Sequence, residues 1–255
     1  VLGRVGGLES WVDEWECLGR EHEARGRAAL VAGGWRTTGT VADPAMDHHA
    51  PDPAGPPLAR ELAQRAGEHF LTASAAYNFA QYVVFIDVER MRKLHEACVR
   101  AFRAAMPHWD IPGVPFDARM RGRVIRGVLR VPPGEGPRPV VVAFNGTNAV
   151  KEELHWWSDE MLRRGRAVIT LDGPGLGETF HRLTYVAEPR PVGNAIYSHI
   201  ESHPELDPDA VAFMGMSLGG YMAIRMAAQD PRIRCVAAVS PPYSADVYWN
   251  VTLVG

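Results

Sequence analysis

The chain has 255 residues, 46% of them hydrophobic, with a net charge of -3. That is enough for one sizeable core plus a smaller unit, and too little positive charge for a nucleic-acid-binding face across the whole chain. Cys17, Cys98 and Cys235 lie far apart with no CxxC pair, so no disulfide framework or cysteine metal site is expected.

No apolar run reaches the ~18 residues of a membrane helix, and no signal-peptide pattern opens the chain. These features point to a cytoplasmic protein with neither a membrane nor a nucleic-acid partner. The sequence opens on Val1 and closes on Gly255 without an end signal, so the natural start is expected to lie upstream.

Residues 10–32 read as a helix, with Trp11, Trp15, Leu18 and His22 spaced as one buried stripe. Residues 33–57 are rich in Gly, Pro, Asp and Ala and read as a flexible insertion. Within it, Asp47-His48-His49 lacks a further ligand at metal-site spacing, so a solvated loop is the better reading and no metal is expected. Helical texture resumes from Leu58 to about Met106, as two or three packed helices with Phe70, Tyr77, Phe79, Tyr82 and Phe85 interleaved as core; Pro107 ends it.

From about Arg123 strands and helices alternate. Strands are expected at 124–131, 139–144, 167–171, 210–214 and 233–239, and helices at 151–164, 191–203 and 218–229. Such alternation defines an α/β domain with a mostly parallel sheet. The expected division is a helical unit over 1–115 and a sheet unit over 116–255. The arginines at 119, 121, 123, 126 and 130 read as the solvated face of a strand.

The strongest chemical signal is Gly215-Met216-Ser217-Leu218-Gly219-Gly220, a G-x-S-x-G pattern that follows an apolar strand and opens a helix. That context is a nucleophile elbow: Gly215, Gly219 and Gly220 allow a tight, strained turn, and Ser217 is projected as nucleophile. The Leu218 N–H at the helix start then faces a developing oxyanion. Phe144-Asn145-Gly146-Thr147 follows the second strand, where this fold supplies its other oxyanion donor, and Thr147 N–H is the candidate. The Asp172-Gly173-Pro174-Gly175-Leu176-Gly177-Glu178 turn fits neither a dinucleotide nor a Walker loop and reads as structural, so no cofactor is expected.

The segments Phe144 to Glu153, Leu171 to Gly175, Ser217 to Tyr221 and Tyr243 to Trp249 resemble the dihydroxypseudooxynicotine hydrolase group, which belongs with proteins similar to the fermentation–respiration switch protein. Trp11 to Trp15, Gly19 to Glu23 and Ala76 to Gln81 resemble its helical cap. The resemblance implies an α/β-hydrolase fold, a mostly parallel sheet flanked by helices with an N-terminal helical cap. It implies a serine hydrolase that cleaves a carbon–carbon bond next to a carbonyl in a β-diketone-like, acyl-aromatic or polyketide substrate. A homodimer is among the assemblies open to it. Ester hydrolysis or acyl transfer by the same serine is one alternative, and a non-catalytic binding or regulatory protein on the same fold is another.

The fold orders its triad as Ser, then an acid, then His. No histidine follows His203, so the triad histidine is not in this sequence, and Asp246 is the acid candidate in reach. The chain is therefore expected to stop short of the acid and histidine, with its last strands missing and the strand 233–239 left as an apolar edge. His155, His181, His199 and His203 precede the elbow and read as packing or surface residues.

Overall fold

The computed structural model describes residues 2–35, 56–84, 87–120, 122–180, 183 and 188–244. The insertion from 36 to 55, with Asp47, His48 and His49, lies outside them, as do Phe85, Arg121, His181 and Asp246. The chain divides into two compact units, Val1–Gly113 and Val114–Gly255.

Among the described residues the first unit holds three α-helices: α1 (Leu8–Ala32), α2 (Pro57–Gln81) and α3 (Val88–Ala105). The buried side of α1 is Val12, Gly19, Glu23, Gly26 and Leu30, rather than the larger residues beside it; Trp11, Trp15, Leu18 and His22 are half-buried. The reason is ring packing. A Cβ on Gly19 would lie 2.6 Å from the Tyr77 ring and one on Gly26 2.9 Å from the Phe70 ring, so two aromatic faces of α2 occupy the space that side chains on α1 would fill. Phe70 and Tyr77 are core, whereas Phe79 is exposed on the surface. Asp87 caps α3 by accepting from the Arg90 N–H at 2.9 Å.

The second unit is a six-stranded sheet in the order β1-β2-β4-β3-β5-β6, with β1 (Val114–Met120), β2 (Arg123–Arg130), β3 (Arg138–Phe144), β4 (Ala167–Leu171), β5 (Leu206–Met216) and β6 (Ile233–Val239). The strands β4, β3, β5 and β6 run parallel, and the β1–β2 hairpin adds to β4 antiparallel.

Helices α4 (His155–Arg163), α5 (Arg190–Glu201) and α6 (Leu218–Ala227) complete the unit, a 3-10 turn at Lys151–Leu154 leading into α4. Alternate residues of β3 serve two layers. Val140, Val142 and Phe144 join the core with Ile196 of α5 and Met222 of α6, while Val141 and Ala143 pack with Leu154, Trp157 and Met161. Both faces being covered explains why the parallel strands read as unbroken apolar runs.

Two further sequence expectations change. Residues 114–120, placed at the boundary between units, form the edge strand β1. Arg130, expected on a solvated face, is buried and bonded to Asp159 at 2.6 Å. Among the described residues β6 pairs only with β5, and its exposed positions include Cys235 and Val239.

Candidate active site

The sheet register builds the site. Phe144 at the end of β3 is paired with Gly215 near the end of β5, and Met216 with Val239 at the end of β6. The three carboxyl ends therefore finish side by side. The chain leaves β3 toward α4 on one face and β5 toward α6 on the other, which makes this the topological switch point where α/β sheets open a crevice.

Ser217 stands between β5 and α6 with φ 53° and ψ -122°. This backbone region is costly for any residue with a Cβ, on the order of 1–3 kcal/mol. Neighbouring glycines make the turn possible. A Cβ on Gly215 would lie 2.3 Å from the Gly219 carbonyl carbon, one on Gly219 would lie 2.5 Å from the Asn145 carbonyl oxygen, and one on Gly220 would lie 2.9 Å from the Gly215 oxygen. Backbone thus touches backbone where β5 meets α6 and where α6 meets the end of β3. The Ser217 N–H donates to the Val239 carbonyl at 2.8 Å, tying the turn to β6.

The loop after β3 approaches the same serine. A Cβ on Gly146 would sit 3.1 Å from Ser217 Cβ and 3.6 Å from its Oγ. Thr147 is the next residue and is exposed. Leu218 opens α6, so its N–H is one of the four first-turn donors with no acceptor inside the helix. The structure therefore gathers Ser217, Leu218, Gly215, Gly219 and Gly220 with the Gly146–Thr147 turn. Asp246 lies outside the described residues.

His155, His199 and His203 have other surroundings. His155 is half-buried beside Arg130 and Asp159, and burial first, then the Arg130 charge, pushes its pKa down to about 4. His199 stacks on His203 with ring centres 4.0 Å apart and packs on Phe116 at 4.2 Å.

A group that sequence reasoning missed holds the loop in place. The Asn145 side-chain amide donates to the Val150 carbonyl, closing residues 145–150 into a compact turn. Lys151, 2% exposed, follows immediately. Its N–H donates to Asp172 Oδ1 at 2.8 Å, and its ammonium lies 2.7 Å from Glu152, 3.2 Å from Asp172 and 2.9 Å from Glu178.

Burial alone would lower the Lys151 pKa, but the three carboxylates outweigh it and hold it above the ordinary lysine value. Asp172 also accepts the Glu178 N–H at 2.9 Å. Gly177 curls under it at φ 46°, where a Cβ would lie 2.3 Å from the Asp172 carboxylate. The Lys-Glu-Glu run and the Asp-to-Glu turn were visible in the sequence. Their union around one buried ammonium was not, because it depends on the parallel pairing of β3 with β4.

A sheet of this order with a strained serine between β5 and α6 defines an α/β-hydrolase. The FrsA-like esterase family model matches residues 56–250, and the chain belongs to that family. It is similar to 2,6-dihydropseudooxynicotine hydrolase of Paenarthrobacter nicotinovorans, 30% identical over 73% of this chain and 50% of that protein. It is also similar to the α/β hydrolase ucsC of an Acremonium species, 34% identical over 68% of this chain and 40% of that one. A third relative is esterase FrsA of Escherichia fergusonii, 27% identical over 72% of this chain and 45% of that protein.

Among solved structures, that of 2,6-dihydroxy-pseudo-oxynicotine hydrolase superposes with a TM-score of 0.72 at 26% identity, covering 88% of this chain and 55% of that one. The chain spans about half the length of the curated relatives it matches. No helix among the described residues is long and apolar enough to cross a membrane.

Proposed function

We propose that Ser217 is the nucleophile of a serine hydrolase that cleaves a carbon–carbon bond next to a carbonyl. The observation that carries this reading is the positive φ of Ser217 at the tip of β5, with Gly146 packed against its side chain. In this reaction the Ser217 hydroxyl adds to the substrate carbonyl. The N–H groups of Thr147 and Leu218 hold the resulting oxyanion, helped by the positive end of the α6 dipole. The carbon leaving group departs as a stabilised carbanion, an enolate or an electron-rich aromatic, and takes up the proton given up by the Ser217 hydroxyl; water then releases the acyl group from Oγ as a carboxylic acid.

Relatives named as a dihydropseudooxynicotine hydrolase support a ketone substrate. Those named as esterases support a second reading, ester hydrolysis through the same serine and the same oxyanion donors. The helical unit is the part of the chain to which the resemblance assigns substrate selection. Cys17, Cys98 and Cys235 are not joined by a disulfide, which agrees with a reducing, cytoplasmic setting.

No histidine follows Ser217 in this sequence, so these 255 residues offer no base in the order the fold uses. A serine without its base keeps the weak nucleophilicity of an ordinary hydroxyl. The test is labelling by an alkyl fluorophosphonate, with and without added imidazole as an external base. Slow labelling that imidazole accelerates, confined to Ser217 and abolished in Ser217→Ala, is expected. Absence of label on Ser217 under both conditions would overturn the assignment. Fast labelling without imidazole would show that a base is already present among these residues.

A further inference from the structure

The helical unit carries a cleft of about 420 Å³, within the size range of small-molecule sites. It is lined from α1 by Glu23, from α2 by Tyr77, and from α3 by Lys93, Leu94, Ala97 and Arg100. Glu23 is 8% exposed and stands in a seam whose other members are Val12, Gly19, Gly26 and Leu30. A carboxylate in such a seam gives up water and needs partners in return.

One oxygen has a partner: Oε2 accepts from the Tyr77 hydroxyl at 2.9 Å. The other, Oε1, is buried with no partner. Across the cleft, Nε of Arg100 is also buried with no partner. An acceptor and a charged donor, both stripped of water, thus line the same space without bonding each other. The other cations of the cleft are already engaged, Arg20 by Glu16 and Arg90 by Asp13 and Glu16. Lys93 is held only loosely by Glu89, at 3.6 Å, and keeps its ammonium at the exposed rim.

We propose that this cleft binds a small hydroxylated carboxylic acid, whose carboxylate is taken by Arg100 and Lys93 and whose hydroxyl donates to Glu23 Oε1. The three groups require three features of the ligand. The excess of cations selects an anion. The orphaned acceptor requires a donor on the same molecule. The Leu94 and Ala97 side chains and the Tyr77 ring supply apolar surface for a short carbon frame. This site is built wholly within the helical unit and does not depend on Ser217.

The test is calorimetric titration of the 255-residue chain with L-malate and, separately, with succinate, which matches its two carboxylates but lacks the hydroxyl. Saturable malate binding, about tenfold tighter than succinate, is expected, since a hydrogen bond to a buried charged group carries that factor. Lys93→Met, at an exposed position where folding is secure, should weaken both acids several-fold. Arg100→Met, with its fold checked by circular dichroism, should weaken both further. Glu23→Met should remove the preference for malate while leaving succinate binding in place. No saturable binding of malate, equal affinity for the two acids, or binding unchanged in both Lys93→Met and Arg100→Met would each overturn the proposal.

Discussion

Replacing Gly219 by alanine tests whether the elbow rests on main chain touching main chain. The new methyl would sit 2.5 Å from the Asn145 carbonyl oxygen and 2.6 Å from that of Phe144. Close carbon–oxygen contacts settle near 3.3 Å, so about 0.8 Å must be opened. Neither neighbour is a side chain that can rotate away; both oxygens belong to the end of β3, so the first turn of α6 must lift from the sheet. Overpacking of a well-filled site costs about 1–3 kcal/mol, and a backbone clash belongs at the top of that range. About 3 kcal/mol corresponds to a fall in Tm of roughly 6–12 °C for a domain of this size.

Gly193→Ala is the matched control. It lies within α5, and its methyl would meet only Met226 Sδ at 3.7 Å. Alanine there gains about 0.5–1 kcal/mol from helix propensity and from a less flexible unfolded chain. Thermal melts of the two variants beside the parent should therefore move in opposite directions. A Gly219→Ala variant that melts with the parent, or a Gly193→Ala variant that falls as far, would refute the close-approach account of the elbow.

Ser217→Gly removes the Cβ from a positive-φ position and should raise stability by about 1 kcal/mol while abolishing fluorophosphonate labelling; chemical denaturation reads the first effect. Lys151→Met leaves the Glu152, Asp172 and Glu178 carboxylates without their shared cation and should cost about 3–5 kcal/mol at neutral pH, a loss that shrinks on acidification as a carboxylate takes up a proton; urea titrations at two pH values check it. His155 has a folded pKa of about 4, below its unfolded value of ~6.5, so its native environment favours the neutral form. Its contribution is intact above pH ~6.5 and is lost as pH falls toward 4, amounting to about 3 kcal/mol, and His155→Gln should flatten that part of the stability profile.

The elbow was legible because its signal is local. Glycines bracket one serine, an apolar strand precedes it, and the chain order fixes which side is which. β6 was equally plain, its limits at Ile233 and Val239 set by a short apolar run. β1 was not, because Val114-Pro115-Phe116-Asp117 carries a proline at its second position and alternates polarity, features that a covered central strand would not carry but an edge strand tolerates.

The seam of α1 was misread for a related reason. Periodicity weights large residues such as Trp11 and Trp15, while the seam was made by Gly19 and Gly26, whose burial depends on rings contributed by α2. Arg130 and Lys151 were illegible as buried cations because their carboxylate partners sit on other segments, at Asp159 for the first and at Asp172 and Glu178 for the second. Charge in a sequence says nothing of its partners until topology brings them together.

The hydrogen bond from the Ser217 N–H to the Val239 carbonyl ties the strained turn to the order of folding. The elbow needs Gly146 from the loop after β3 on one side and the end of β6 on the other, and those segments are far apart in the chain. Contacts of such long sequence separation form late, after the loops between them have been closed. A nascent or partly unfolded chain therefore carries Ser217 in relaxed backbone, without the strained turn. The strained turn at Ser217 comes into being only when β3, β5 and β6 have paired in register, so an electrophile that marks Ser217, the proposed nucleophile, also reports that pairing.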